Sequence, residues 1–398
     1  MDVSQLTDNK VFRYFCYILL GELFLMGSGA ELQVAGFLTL RMVNFLVAIV
    51  LSVYFVVRSD EFPKTILWFF LAHTMLLLFG YIQAVLIEAP VKWLIEDLKP
   101  LSYFYMLLFF YYMMDSERMM RKTIGILLLA VKIMTVVYLI YMTVTDFLGL
   151  FEFSTVYKTF SSDSFTFRGV GSSIYYKGFV FLPIGCVGFF QRKQYVWLFL
   201  TIVAIYLTYT RGLYVLLAIG LTFYYLKTRN VNIITLMSVV AVGFMVYCIA
   251  DYFELFSLGN DYADNREESD EIRFRTIRLV FDEVTAWSAV FGHGLGHGVE
   301  GRPAHMEITY LEFFHKQGII GLLFWAMLLW NTLMMALSVP ERNKDIGDFF
   351  LTSSLMIYVQ SFFNPYINNP IGMSVVLLAF AVCYRLSQDE RFADCRTV

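Results

Sequence analysis

Residues 257–316 carry most of the side chains in this chain that could do chemistry. The stretch holds four of the five histidines, five arginines and the glycine-spaced run Gly292-His-Gly-Leu-Gly-His-Gly298. Guanidinium groups bind phosphate oxygens without a metal, and imidazole can accept a proton near pH 7. Together these residue types suit transfer chemistry on a phosphorylated substrate, so we predict the functional site in this stretch.

The arginines of this stretch fall on a predicted amphipathic helix, residues 272–287, which follows an acidic segment, 257–271, predicted to be a solvated linker. Arg275 and Arg278 have acidic neighbours one turn away and could form ordinary surface ion pairs. Arg273 falls on the apolar face, where a charge needs a bound anion or an internal salt bridge. We predict an anion-binding role for Arg273, with the salt bridge as the alternative.

The glycines predict a tight backbone path. Gly292, Gly294 and Gly296 would let the chain approach a ligand or a neighbouring helix closely. His293 and His297 have a spacing that zinc ligands can use. The intervening glycines argue against a rigid helix, however, and the sequence offers no obvious carboxylate or cysteine to complete the set. We therefore expect no metal and no cofactor.

A second helix is predicted from near His305 to about Lys316, ahead of Gly318. In its first turn the helix dipole would keep the His305 ring neutral, which makes it a candidate general base. Local capping by His305 is the alternative. Glu312 is expected to lie too far along the helix to orient that ring, and His315 is expected to be a partner of the C-terminal dipole.

Further cations are predicted at the outer ends of membrane spans. Arg211 follows a tight turn, where it would face a cavity or snorkel to lipid headgroups. Arg41 lies inside a span, where a charge needs a ligand or a partner such as Glu22. Arg168 and Lys177 flank another span. Together they predict a cationic vestibule suited to an anion such as pyrophosphate.

The elements that position these residues are membrane helices. Of the 398 residues, 59% are hydrophobic and only 16% are charged, and a span needs about 20 apolar residues. We predict an all-α polytopic membrane protein, with residues 1–256 forming nine spans, 257–316 the long outer loop, and 317–398 three spans and a tail. The twelve predicted spans are 11–27, 35–57, 65–88, 101–114, 123–146, 175–190, 194–209, 212–227, 232–254, 317–338, 347–366 and 371–387.

Loop charge predicts the orientation. Lysine and arginine concentrate in cytoplasmic loops, and with the N-terminus inside the short loops on that side carry them, whereas the opposite loops 28–34 and 367–370 carry none. This orientation places both termini in the cytoplasm and 257–316 outside. The net charge of −3 gives no sign of a nucleic-acid partner. The residues predicted to be cytoplasmic are Arg58, Lys64, Arg118, Arg121, Lys122, Arg192, Lys193, Lys227, Arg229, Arg342 and Lys344.

Three segments, in this order, resemble the bacterial O-antigen polymerase and ligase superfamily. They are Thr210-Arg-Gly between two spans; Arg273 followed by Phe291-Gly-His-Gly-Leu-Gly296; and His305 with Tyr310-Leu-Glu-Phe-Phe and Gln317-Gly-Ile-Ile-Gly321. A weaker match is Phe167-Arg-Gly-Val-Gly171. The motifs cover about residues 160–330.

The resemblance implies a GT-C-like membrane glycosyltransferase of the inner membrane that works at the periplasmic face without a metal. Its donor would be an oligosaccharide on undecaprenyl pyrophosphate, with membrane lipid around it and a polysaccharide chain-length regulator as a candidate partner. Arg211 and Arg273 would bind the pyrophosphate, helped by Arg168 and Arg275, and His305 would act on the acceptor hydroxyl.

Two other functions stay open at this point. A ligase would use the same donor but transfer the glycan to lipid A core. In the ligases an asparagine usually follows the motif histidine, whereas Met306 follows His305 here, which favours a polymerase. A flippase or secondary transporter is the second alternative, although no pair of related halves is visible. Tyr310 is a candidate contact to a glycan.

Overall fold

The protein is largely helical in the computed structural model, which describes residues 9–27, 29, 32–35, 38–59, 63–150, 155, 165–167, 171–228 and 260–388, with backbone alone at 35, 228 and 260–270. The chain divides into two compact units. The first contains residues 1–132 and 275–398, and the second contains residues 133–274.

The first unit is built mainly from long helices. Its helices are α1 (Lys10–Leu25), α2 (Leu40–Arg58), α3 (Lys64–Leu86), α4 (Val91–Ser102), α5 (Met106–Met113) and the start of α6 (Glu117–Met142). The second unit contains the end of α6, α7 (Phe181–Gln191), α8 (Tyr195–Leu207), α9 (Arg211–Thr228) and the start of α10 (Asn260–Asp282). The end of α10 returns to the first unit, followed by α11 (Ala286–Phe291), α12 (Thr309–Leu337), α13 (Lys344–Gln360) and α14 (Pro370–Gln388).

Two short antiparallel strand pairs depart from the all-α prediction within the described part of the chain. The strand β1 (Gln33–Ala35) pairs with β2 (Leu38–Thr39) just before α2. The strand β3 (Phe165–Phe167) pairs with β4 (Ile174–Tyr176) ahead of α7. Both are hairpins between helices, so the helical class is unchanged.

Five helical segments in the described residues are long and apolar enough to cross a membrane, and they are Leu40–Arg58, Lys64–Leu86, Glu117–Phe147, Thr309–Leu337 and Pro370–Gln388. The chain therefore has the helices of a membrane protein, and the predicted number of twelve spans is not confirmed. The predicted span 101–114 does not form one continuous helix: α4 ends at Ser102, and a 3-10 turn separates it from α5. The predicted span 232–254 lies outside the described residues.

The core of the first unit surrounds α14. In its most apolar window 78% of the residues are buried, against 28% in α2 and 28% in α3. The outer faces of α2 and α3 instead expose large apolar side chains such as Val57 and Trp68. A soluble protein rarely leaves such surfaces in water, so these faces are suited to lipid.

Loops predicted on the same side of the membrane lie together in the first unit. Arg121, at the start of α6, pairs with Asp345 of α13 at 2.7 Å, and Arg342 lies 3.4 Å from Glu117. Both loops are predicted to be cytoplasmic. This arrangement agrees with the prediction that the two loops share one side of the membrane.

The second unit is tied together by polar contacts near the end of α6. The hydroxyl groups of Thr135 and Thr201 lie 3.2 Å apart, and the Tyr138 hydroxyl donates to the carbonyl oxygen of Leu207 at 2.9 Å. Asp146 accepts from the backbone N–H of Ser172 at 2.9 Å. These bonds join α6 to α8 and to the segment before β4.

The helix α10 corrects two predicted boundaries. The acidic segment 257–271 was predicted to be a linker, but the helix already begins at Asn260. Glutamate is a good helix former and is favoured near a helix N-terminus, which explains the earlier start. The helix also ends at Asp282 rather than at 287, because Thr285 caps the short helix α11 with a hydrogen bond from Ser288 N–H at 3.1 Å.

Candidate functional site

A break in α12 shapes the candidate site. Gly318 has φ 65° and ψ −163°, which interrupts the helix between Gln317 and Ile319. The break leaves carbonyl oxygens of the preceding turn without helical donors. The glycine-rich loop supplies those donors: His293 N–H bonds the carbonyl oxygen of His315 at 2.8 Å, and Gly294 N–H bonds that of Lys316 at 3.1 Å.

The glycines of the loop allow this close approach. Gly292, Gly294 and Gly296 have φ of 78°, 98° and 75°, a conformation that favours glycine. A Cβ atom on Gly292 would lie 2.2 Å from the backbone of Lys316. The positive φ values and the close packing explain why glycine occupies these positions. Direct contact between these glycines and a substrate stays a prediction.

A buried ion network lies beside the loop. The Lys316 ammonium donates to Asp97 Oδ1 at 2.6 Å, to Glu312 Oε1 at 2.7 Å and to the carbonyl oxygen of Ala304. The other Asp97 oxygen accepts from Gly296 N–H at 2.7 Å. Removing Lys316 would leave two buried carboxylates without their cation, so the ammonium holds α4, the loop and α12 in one arrangement.

His305 lies at the exposed side of this network. Its Nδ1 is 3.5 Å from Glu312 Oε1, and 43% of its side chain is exposed. The second Glu312 oxygen accepts from Asn368 Nδ2 at 2.9 Å and from Met306 N–H at 3.2 Å. The carboxylate is therefore fixed and faces the imidazole. The Glu312 carboxylate raises the pKa of His305 above its ordinary value.

Two predictions about His305 are wrong. The helix begins at Thr309, so His305 precedes it by four residues and gains nothing from its first turn. Glu312 was expected to be too distant to orient the ring, but its Oε1 lies 3.5 Å from His305 Nδ1. The helix dipole was expected to keep the ring neutral, but the ring lies outside the helix and the Glu312 carboxylate raises its pKa instead.

Two of the three motif arginines, and Lys177 with them, lie in the described part of the chain. Arg211 is exposed at the first position of α9, after the predicted tight turn, in which Tyr209 has φ 48°. Arg273 is half-buried in α10. Lys177 is half-buried in a 3-10 turn, Lys177–Val180. Arg168 lies outside the described residues.

Other predicted binding residues have partners within the chain. Arg41 is buried and donates from Nε to Glu22 at 2.9 Å, as the sequence suggested, and also to the carbonyl oxygens of Met26 and Gly27. With its donors committed, we do not count Arg41 among the anion ligands. The Tyr310 hydroxyl donates to a backbone carbonyl at 2.6 Å.

The remaining loop arginines are surface residues. Arg275 lies 3.7 Å from Glu300, with 66% and 78% of the two side chains exposed, so their attraction is weak. Arg278 is also exposed and forms no ion pair within the described residues. Both guanidinium groups are accessible to an anion.

The histidines of the loop form a second cluster. The rings of His293 and His315 have centroids 4.5 Å apart, and His297 stacks on His315 at 5.5 Å. Glu283 approaches His297 at 3.6 Å and His315 at 3.8 Å. The expectation that no carboxylate completes a ligand set is therefore wrong. His315 was expected to be a dipole partner, but its side chain is fully buried.

The buried partners were missed by sequence reasoning. Asp97 and Asn368 lie far from the motifs along the chain, and their place at the site depends on tertiary packing. One local signal was available, since Glu312 and Lys316 have the spacing of a helical ion pair. Nothing in the spacing of Glu283 indicated that it would meet His297 and His315.

Comparison with known proteins supports the resemblance drawn from the motifs. The chain is 23% identical over 385 residues to an O-antigen polymerase of Shigella flexneri, a match that covers 92% of this chain and 93% of that one. No family model matches the chain. The similarity extends beyond the motif region to nearly the whole length, which confirms the predicted resemblance to O-antigen polymerases.

Proposed function

We propose that this chain is an O-antigen polymerase of the bacterial inner membrane, which extends a surface polysaccharide at the periplasmic face. The observation that carries the proposal is the similarity to an O-antigen polymerase over 92% of the chain. The membrane-type helices support it, because a lipid-linked glycan is processed at the bilayer.

In the proposed reaction, the growing glycan leaves undecaprenyl pyrophosphate and joins the terminal sugar of another lipid-linked repeat unit. The bond between the anomeric carbon and the pyrophosphate oxygen breaks, and a bond to the acceptor hydroxyl oxygen forms with inversion. Arg211 and Arg273 neutralise the pyrophosphate leaving group, with Arg168, Arg275 and Lys177 as weaker helpers. Guanidinium groups can stabilise this charge without a metal.

His305 is proposed to take the proton of the acceptor hydroxyl. Its Nδ1 faces Glu312 at 3.5 Å, which leaves Nε2 for the acceptor. The carboxylate stabilises the imidazolium that forms, as a base-orienting acid does in other catalytic sets. Lys316 and Asn368 keep Glu312 in place through hydrogen bonds of 2.7 and 2.9 Å.

The test is a reconstituted assay with purified protein, undecaprenyl-pyrophosphate-linked repeat units and EDTA. A ladder of polymerised glycan supports the proposal and its metal independence. The assay is run below the unfolding temperature of the EDTA-treated protein, so that a loss of structure is not taken for a loss of chemistry.

The controls separate the alternatives. His305→Ala should lose the ladder, whereas Arg302→Gln should keep it, because Arg302 lies in the same loop but pairs with Glu307 at 2.8 Å. Transfer only after lipid A core is added would identify a ligase instead. Absence of both products would contradict the proposal and favour a transporter.

A further inference from the structure

The cluster of Glu283, His297 and His315 has no place in the proposed reaction. It joins three separate stretches of the first unit: the end of α10, the glycine-rich loop and the last turn before the break in α12. One nitrogen or oxygen atom from each side chain lies within 4.8 Å of the other two.

A buried histidine points into this cluster without a partner. The His315 side chain has no exposed surface, and neither ring nitrogen has a hydrogen-bond partner among the described residues. An unsatisfied buried polar group destabilises the folded protein, and a bound ion at this position would remove that cost. The nearest carboxylate oxygen, at 3.8 Å, is too far for a hydrogen bond.

We propose that Glu283, His297 and His315 bind one divalent transition metal ion of the zinc class. Two imidazoles and one carboxylate are a set that Zn²⁺ accepts, while Ca²⁺ and Mg²⁺ prefer oxygen ligands alone. A water molecule would complete the tetrahedral shell.

The distances fit such an ion. Bonds of about 2.0–2.2 Å in a tetrahedral shell put neighbouring ligand atoms about 3.4 Å apart. The Glu283 oxygen lies 3.6 Å from His297 Nε2 and 3.8 Å from His315 Nε2, so these two contacts need to shorten by only a few tenths of an ångström, and the two imidazole nitrogens lie within 4.8 Å of each other. The Glu283 side chain is 40% exposed, which leaves a route for the ion to enter.

Two neighbouring groups are not expected to be ligands of this ion. His293 is not itself a ligand, since its two ring nitrogens lie 3.2 Å from the carbonyl oxygens of His315 and Glu283. The other acidic cluster, Asp97 with His305 and Glu312, already holds the Lys316 ammonium between its carboxylates.

The proposed ion would act as a clamp rather than as a catalyst. It would fix the glycine-rich loop to both helices that flank it. The inference goes beyond the proposed function, and its test needs no substrate.

The test measures metal binding to the full-length protein, purified in detergent through a tag without histidines and stripped with EDTA. Zn²⁺ is titrated against a chromophoric chelator, and Co²⁺ absorption reports the coordination. We expect one equivalent bound with micromolar or tighter affinity, visible tetrahedral Co²⁺ bands and a higher unfolding temperature with Zn²⁺.

Variants identify the ligands. Glu283→Gln and His297→Gln should each weaken Zn²⁺ binding more than about tenfold. Glu283→Gln changes a partly exposed carboxylate to an amide of the same shape, so it keeps the fold. His305→Gln and Glu300→Gln should bind Zn²⁺ as the unmodified protein does. Binding no tighter than millimolar, unchanged binding by Glu283→Gln, or loss of binding in His305→Gln would each overturn the proposal.

Discussion

At the scale of single residues, the contact between His305 and Glu312 predicts a pH dependence. The proposed base must be neutral, and the carboxylate raises the pKa of His305. Polymerisation should therefore rise as the pH increases through that raised pKa. Glu312→Gln should move this acid limb to lower pH, because the amide no longer favours the imidazolium. The rate of ladder formation between pH 5 and 9 measures the shift.

A control separates this effect from a general change in charge. Glu300→Gln also removes a loop carboxylate, but Glu300 pairs only weakly with Arg275 and should leave the acid limb in place. An unshifted limb in Glu312→Gln would contradict the role of His305 as the base. The pair also affects stability in the opposite sense: its contribution is present below the ordinary pKa of histidine and is lost as the pH rises through the raised value.

A second prediction at this scale concerns Arg211. Lysine keeps the charge but cannot make two parallel hydrogen bonds to a phosphate. Arg211→Lys should lower the polymerisation rate about tenfold or more, which corresponds to about 1.4 kcal/mol of transition-state stabilisation. The matched control is Arg302→Lys in the outer loop, which should retain the rate. Equal rates for Arg211→Lys and the unmodified protein would remove Arg211 from the donor site.

The residues of the candidate site were only partly predictable. His305 was proposed as the base because a first-turn position would keep its ring neutral, and that role remains a prediction. The partner of Arg41 was identified because a buried guanidinium needs one. The surroundings of His305 were not predicted. They depend on where α12 begins and on Asp97 and Asn368, which are distant in sequence and reach the site through tertiary packing. The predicted roles of Arg211 and Arg273 remain predictions.

At the scale of elements, Lys316 joins α4 and α12. Lys316→Met would leave Asp97 and Glu312 buried without their cation, and should lower the free energy of unfolding by about 3–5 kcal/mol. Unfolding in detergent, followed by heat or denaturant, measures the loss. Lys99→Met is the control, because 59% of its side chain is exposed and it should change stability little. Adding Asp97→Asn to Lys316→Met should recover part of the loss.

The break at Gly318 gives a second prediction for an element. Gly318→Ala would strain a left-handed residue by about 1–3 kcal/mol, and its Cβ would lie 2.2 Å from the carbonyl oxygen of Val290. The variant should unfold more readily. Gly125→Ala, where nothing lies within 4 Å, should be as stable as the unmodified protein or more so. Equal stability of both variants would contradict the need for the break.

The presence of the long apolar helices was more predictable than the residues at which the helices begin and end. Apolar runs identified α2, α3, α6, α12 and α14, because a helix that crosses a membrane needs a long apolar segment whether its sides face lipid or protein. The ends of α10 and α12 were misjudged, since an acidic segment can be either a solvated linker or the first turns of a helix. Capping residues such as Thr285 decide where a helix begins or ends, and they act over only a few residues.

At the scale of the whole molecule, the orientation can be tested with single cysteines in a background without native cysteines. Glu300→Cys should react with a membrane-impermeant maleimide in spheroplasts, because the loop is predicted to be periplasmic. Arg342→Cys should react only after permeabilisation. The side chains are 78% and 68% exposed, so both should be accessible to the reagent on their own side. The reverse pattern would contradict the positive-inside assignment.

The membrane class followed from composition, and the pairing of Arg121 with Asp345 agrees with the prediction that their two loops share one side of the membrane. The number of spans was harder to predict from hydropathy. Segments such as 101–114 are apolar because they are buried inside the protein, and hydropathy alone does not separate a buried helix from one that crosses lipid. The division at residues 132 and 274 likewise has no marker in the sequence.

The hydrogen bonds from the glycine-rich loop to the broken end of α12 restrict how this region can diverge between relatives. The loop supplies the donors that the break leaves missing, so neither feature is useful without the other. A loop grafted from another protein without its own break would meet carbonyls already engaged in an unbroken helix. We therefore expect a chimeric protein to fold when residues 292–318 are exchanged together with those of a homologue. A junction placed inside this segment should disrupt the hydrogen bonds between the loop and α12.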